Sequence, residues 1–139
     1  MSDWIRRSIR TLGDQSARRS LARGLDGVRI GGLKSARRVL AQSPVVFAAT
    51  HVSWWDGLVV GELGRQLQAD QRILVDAARM RAYPFFLEFD CIPVELGTVG
   101  ARHGLRRAIE HLSAPGKAVW LFPQGRQVPP SVRPLHPVS

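Results

Sequence analysis

Cysteine is nearly missing from this sequence: Cys91 stands alone among 139 residues. A single thiol excludes an intrachain disulfide and a cysteine cluster for a metal, and it is compatible with a reducing compartment. Long apolar runs are missing too. No stretch approaches the ~18 apolar residues of a membrane-spanning helix. No apolar core follows the basic N-terminus, which argues against a secretory signal. Arg6-Arg7 has the form of a twin-arginine pair, but the residues after it are too polar for an export signal. Internal repeats are absent. So are helix-turn-helix, zinc-finger and aromatic RNA-binding signatures, which leaves nucleic-acid binding supported by charge alone.

What is present is a basic, arginine-rich chain. Lys and Arg number 20 against 11 Asp and Glu, for a net charge of +9, and nearly all the cations are arginines. The planar guanidinium suits phosphate groups. Anionic lipid surfaces, nucleic acid and acidic substrates all fit this charge, and composition does not choose among them. The length allows at most one domain with a modest core, and the 45% hydrophobic content is ordinary for one.

The central stretch is Val45-Val46-Phe47-Ala48-Ala49-Thr50-His51-Val52-Ser53-Trp54-Trp55-Asp56-Gly57-Leu58. Apolar Val45 to Ala49, behind Pro44, reads as a buried strand. Trp55, Leu58, Val59 and Leu63 recur at helical spacing, so a helix is expected from about Trp54 to Leu67. His51 sits where the strand hands over to the helix, and ligands of α/β sheets bind at the carboxyl ends of strands. Neither a helix nor a strand brings residues five apart face to face. A turn between His51 and Asp56 does, and a carboxylate on one ring nitrogen leaves the other free to take a proton. Ser53-Trp54-Trp55-Asp56 also fits a helix capping pattern, in which Asp56 only satisfies a backbone N–H.

The stretch Thr50 to Leu58 resembles the first block, H-x-x-x-x-D, of the glycerol-phosphate and lysophospholipid acyltransferases. Two more blocks follow in the family's order. Cys91-Ile92-Pro93-Val94-Glu95 is similar to G-x-I-P-V-x-R, with Ile92, Pro93 and Val94 matching and Leu96 in place of the phosphate-holding arginine. Phe122-Pro123-Gln124-Gly125-Arg126 resembles F-P-E-G-x-R, with Gln124 for glutamate and the arginine one place early. A Gly125 turn can face backbone N–H groups toward an anion, and Arg126 adds a charged donor. The plain alternative is a turn closing a strand.

Along the rest of the chain, Trp4, Ile5, Ile9 and Leu12 fall near one helical face, with Arg6, Arg7 and Arg10 largely off it. Gly13 interrupts or divides this helix. It reads equally as a membrane-surface helix or as one packed on the domain. Val28-Arg29-Ile30 alternates like a short strand before the Gly31-Gly32 turn, and Leu33 to Leu40 reads as a helical turn. Arg72 to Ala77 reads as a second buried strand, Met80 to Asp90 as helix or loop, and Cys91 to Glu95 as a short strand. Gly104 to Leu112 is a helix with Leu105, Ala108, Ile109 and Leu112 on one face. His103 and His111 read as surface residues. Ala118 to Phe122 is a third buried strand, and a proline-rich tail follows Pro129.

The expected fold is α/β, a mainly parallel sheet flanked by helices: an incomplete layered acyltransferase domain over residues 28–139, whose C-terminal part the resemblance implies to be missing. A basic amphipathic segment over 1–27 precedes it. The resemblance implies transfer of a fatty acyl group from acyl-CoA or acyl-carrier protein to a hydroxyl of a lysophospholipid, glycerol-phosphate or related lipid acceptor. His51 is then the general base and Asp56 its orienting partner. Ile92, Pro93, Phe122, Pro123, Gln124, Gly125 and Arg126 contact substrate. The expectation includes no metal, no cofactor beyond the donor and no nucleic-acid partner. The expected location is cytoplasmic, on the inner face of a membrane, held through the basic N-terminus. The alternative is a non-catalytic membrane-binding remnant.

Overall fold

A computed structural model describes residues 15–83, 86 and 90–129. The amphipathic positions Trp4 to Gly13, the apolar Pro84, Phe85 and Leu87, and the tail from Pro130 lie outside the described residues.

Residues 15–24 form a helix, α1. It is followed by α2 (Leu33–Gln42), β1 (Val45–Ala48), α3 (Trp55–Leu67), β2 (Asp70–Asp76), α4 (Ala77–Ala82), β3 (Cys91–Val94), α5 (Ala101–His111) and β4 (Lys117–Leu121). The four strands make one sheet in the order β1-β4-β2-β3. Every pairing is parallel. Parallel neighbours need crossovers, and the helices between strands supply them. This is the α/β class that the alternation of apolar runs and helical patterns predicts.

Side chains alternate across the sheet. On one face, Ile73, Ala118 and Trp120 pack against Leu40 of α2 and against Val60 and Leu67 of α3. The Phe47 ring stacks on Trp120 at 4.4 Å. Trp120 donates its indole N–H to Gln71 Oε1 at 2.7 Å, and Gln71 Nε2 donates to the Val60 carbonyl at 3.2 Å. This relay satisfies the indole inside the core, where an unpaired donor would cost about 1–3 kcal/mol. On the opposite face, Ile92 and Val119 pack against Ala108 of α5.

Four local expectations are corrected. Val28 to Ile30 is not a strand: it pairs with neither edge of the sheet, and Val28 and Ile30 are 37% and 36% exposed. Leu33 begins a full helix, not a single turn. In α5 the face toward the sheet is Gly104 and Ala108, while Leu105 and Ile109 are 49% and 71% exposed. A Cβ on Gly104 would lie 2.5 Å from the Pro93 carbonyl oxygen, so small residues set how closely the helix lies on β3. His111 is not a surface residue. Its ring is only 9% exposed, and Nε2 donates to the Asp70 carbonyl at 2.9 Å. His103 is exposed.

Within the described part of the N-terminal segment, Leu21 of α1 is buried. Leu21, Ala17 and Arg18 line a cleft with Leu58, Gly61 and Glu62 of α3. The hydrogen bonds from Arg65 hold the Glu62 carboxyl below its ordinary range, and the charge of Arg18 contributes. Residues 15–24 are thus packed on the domain.

Candidate active site

The site begins where β1 ends. Ala49 extends the β1–β4 ladder by donating to Leu121 O at 3.0 Å, and the chain then turns through Thr50 to Trp54 into α3. Within this turn His51 Nδ1 lies 2.8 Å from Asp56 Oδ2. The same oxygen accepts the backbone N–H groups of Val52 and Ser53 at 2.7 and 2.9 Å. Oδ1 accepts the Ser53 hydroxyl at 3.2 Å. Capping and histidine contact therefore coexist in one carboxylate. Asp56 lies in the first turn of α3, where a negative charge meets the positive end of the helix dipole.

Burial by itself would raise the Asp56 pKa. The hydrogen bonds from the Ser53 backbone, the His51 ring, the Val52 backbone and the Ser53 hydroxyl outweigh it and hold the carboxyl below its ordinary range. An ionised carboxylate only accepts, so Nδ1 carries the shared proton. When the ring is neutral, its lone pair is then on Nε2. The His51 and Asp56 side chains are 20% and 17% exposed, screened from bulk water yet reachable.

The loop after β4 completes the site. Phe122 sets its ring centroid 4.6 Å from the imidazole, tilted by 34°. Phe122 to Gly125 is a turn closed by the Gly125 N–H donating to the Phe122 carbonyl at 3.0 Å. Gly125 has φ 65°, a left-handed conformation that favours glycine. Gln124 Oε1 accepts the His51 backbone N–H at 2.6 Å. The His51 carbonyl accepts from Val128 N–H at 2.8 Å.

A sequence model of the acyltransferase family matches residues 27–137, most of the chain. The chain belongs to the acyltransferase family. No curated protein and no solved structure matches it.

In this acyltransferase the first and third blocks meet, because β1 and β4 are neighbours. The second does not join them: β4 and β2 separate β3 from β1. Ile92 is a core residue at 3% exposure, and Pro93 lies beside it in β3. Pro123, Gly125 and Arg126 are exposed on the turn. One residue absent from the sequence reading bears on the site, Val128, and Phe122, expected against substrate, lies with its ring against the imidazole. A contact formed by a backbone N–H leaves no residue-type signal in a sequence.

Neither the Ser53 hydroxyl nor the Cys91 thiol is prepared as a nucleophile. The Ser53 hydroxyl is engaged by Asp56. Burial, with the charge of Asp90 adding to it, pushes the Cys91 thiol up to about 12. Among the described residues no group of three or more His, Cys, Asp or Glu is placed to hold a metal ion. A groove of about 420 Å³ runs between α1, residues 25–30 and α3, and no residue of the His51 loop lines it.

Proposed function

We propose that this acyltransferase moves a fatty acyl group from an acyl thioester, acyl-CoA or acyl-carrier protein, to a hydroxyl of a lysophospholipid, glycerol-phosphate or related lipid acceptor. The observation that carries this reading is the 2.8 Å contact between His51 Nδ1 and Asp56 Oδ2. His51 Nε2 takes the acceptor's hydroxyl proton as its oxygen attacks the thioester carbonyl. Asp56 fixes the tautomer and stabilises the imidazolium that forms. Collapse of the tetrahedral adduct breaks the carbon–sulfur bond, and Nε2–H returns the proton to the departing thiolate. The products are an ester and a free thiol, without an acyl-enzyme. The engaged Ser53 hydroxyl and the raised Cys91 pKa favour this direct route over a nucleophilic side chain.

The acceptor's phosphate is assigned to the Gly125 turn, where the exposed Arg126 offers charged donors. Phe122, Pro123 and Gln124 border the same turn. Attachment to the cytoplasmic face of a membrane through the basic N-terminal residues belongs to this proposal. Among the described residues no helix is long and apolar enough to cross a membrane.

The test is turnover of labelled acyl-CoA with a panel of lysolipids, for the native chain and for His51→Ala. The variant is expected to lose roughly 10²–10⁴-fold in rate, the usual contribution of a general base, with its circular dichroism spectrum retained. Undiminished turnover by His51→Ala refutes the chemistry. A second reading, a membrane-binding remnant, is motivated by Leu96, which stands in place of the second block's arginine and is 56% exposed. Liposome binding without turnover on any donor or acceptor selects it.

A further inference from the structure

We propose that Gln124 is a positioning residue: its carboxamide oxygen fixes the main chain of His51, and thereby the approach of the imidazole to Asp56. The catalytic consequence rests on the function proposed above; the clamp itself does not.

The register explains why these residues meet. Ala48 pairs with Leu121 in the parallel ladder. His51 and Gln124 each lie three residues further on, so the two chains leave the sheet side by side. There the Gln124 side chain replaces the backbone bonds that the diverging chains no longer make. Oε1 accepts the His51 N–H at 2.6 Å. Val128, four residues later on the same strap, donates to the His51 carbonyl at 2.8 Å. Both peptide groups flanking the His51 Cα are thereby held from the β4 side. The side chain has few freedoms left: Asp56 holds Nδ1 and Phe122 lies against the ring.

The bond also orients the carboxamide. A backbone N–H pairs with an oxygen, so Oε1 faces His51 and Nε2 faces away. The oxygen of Gln124 is thus committed to the protein and is not the group that meets substrate. A glutamate at this position, as in the block that Gln124 departs from, accepts the same N–H, whereas alanine does not. Small displacements of a reacting group are costly: about 1 Å can lower a rate on the order of 10²-fold.

The experiment compares Gln124→Ala and Gln124→Glu with the native chain, by kinetics and by NMR of the His51 amide and ring N–H protons. Gln124→Ala is expected to lower kcat roughly 10- to 100-fold, with both KM values within about two-fold because no substrate contact is lost. In the same variant the His51 amide resonance moves upfield and the Nδ1–H proton exchanges faster. Gln124→Glu retains native resonances and restores kcat. If Gln124→Ala melts too low to measure, Gln124→Asn, which withdraws the oxygen by one methylene, takes its place with the same expected losses. Native His51 resonances and native kcat in Gln124→Ala or Gln124→Asn overturn the proposal. So does a raised acceptor KM at unchanged kcat, which makes Gln124 a substrate ligand. If the native chain shows no acyl transfer, the proposed function fails and the NMR comparison still decides the clamp.

Discussion

Asp56 Oδ2 accepts from the His51 ring and, in the same place, from the backbone N–H groups of Val52 and Ser53. The turn that presents His51 and the contact that orients its ring therefore depend on one oxygen atom. Replacing the carboxylate disturbs both.

Asp56→Asn keeps the shape but removes the charge. Its expected effects are a loss of roughly 10²–10⁴-fold in kcat and of about 1.5–3 kcal/mol in stability, the usual range for charge-assisted bonds. The acid dependence of stability carries a sign. The Asp56 pKa is depressed on folding. Its contribution is therefore fully present above the ordinary carboxylate value and is lost as pH falls through the lowered folded-state value. Denaturant unfolding from neutral pH downward should show a constant gap between native chain and variant near neutrality that closes in acid. A gap that widens in acid contradicts the assignment.

Arg126→Ala tests the acceptor. Loss of one charge-assisted bond costs about 1.5–3 kcal/mol, so the apparent KM for phosphate-bearing acceptors should rise roughly ten-fold or more. Donor KM should stay nearly constant. Steady-state kinetics with lysophosphatidic acid and an uncharged hydroxyl lipid separate the outcomes. An unchanged KM for the phosphate-bearing acceptor makes a neutral acceptor the better assignment.

Gly104→Ala tests how α5 lies on β3. The new Cβ would meet the Pro93 carbonyl oxygen at 2.5 Å and Val94 Cγ2 at 3.0 Å. Overpacking typically costs about 1–3 kcal/mol, against a helix-propensity gain of at most ~1 kcal/mol. The obstacle is backbone, so we expect a net loss of about 1–2 kcal/mol and a lower melting temperature. Turnover per folded molecule should be unchanged, since two strands separate β3 from β1. A melting temperature at or above the native value means that α5 moves aside freely.

The sequence by itself determined the local elements. Apolar runs at Val45, Ile73 and Ala118 became parallel strands, and the helical spacing after Trp54 became α3. The five-residue step from His51 to Asp56 required a turn, and a turn is there. These features are legible because each depends on chain neighbours and on periodicities of 2 and 3.6. Tertiary structure alone decided which chain ends meet. The order β1-β4-β2-β3 sets the Gln124 turn beside His51 and leaves Ile92 in the core two strands away. Nothing in the spacing of the three blocks encodes that order, because β1 and β4 pair through backbone groups common to every residue. The same reason separates Val28 to Ile30 from β3. Both read as short strands, but a strand is completed only by a partner edge, and only the segment beside β2 has one.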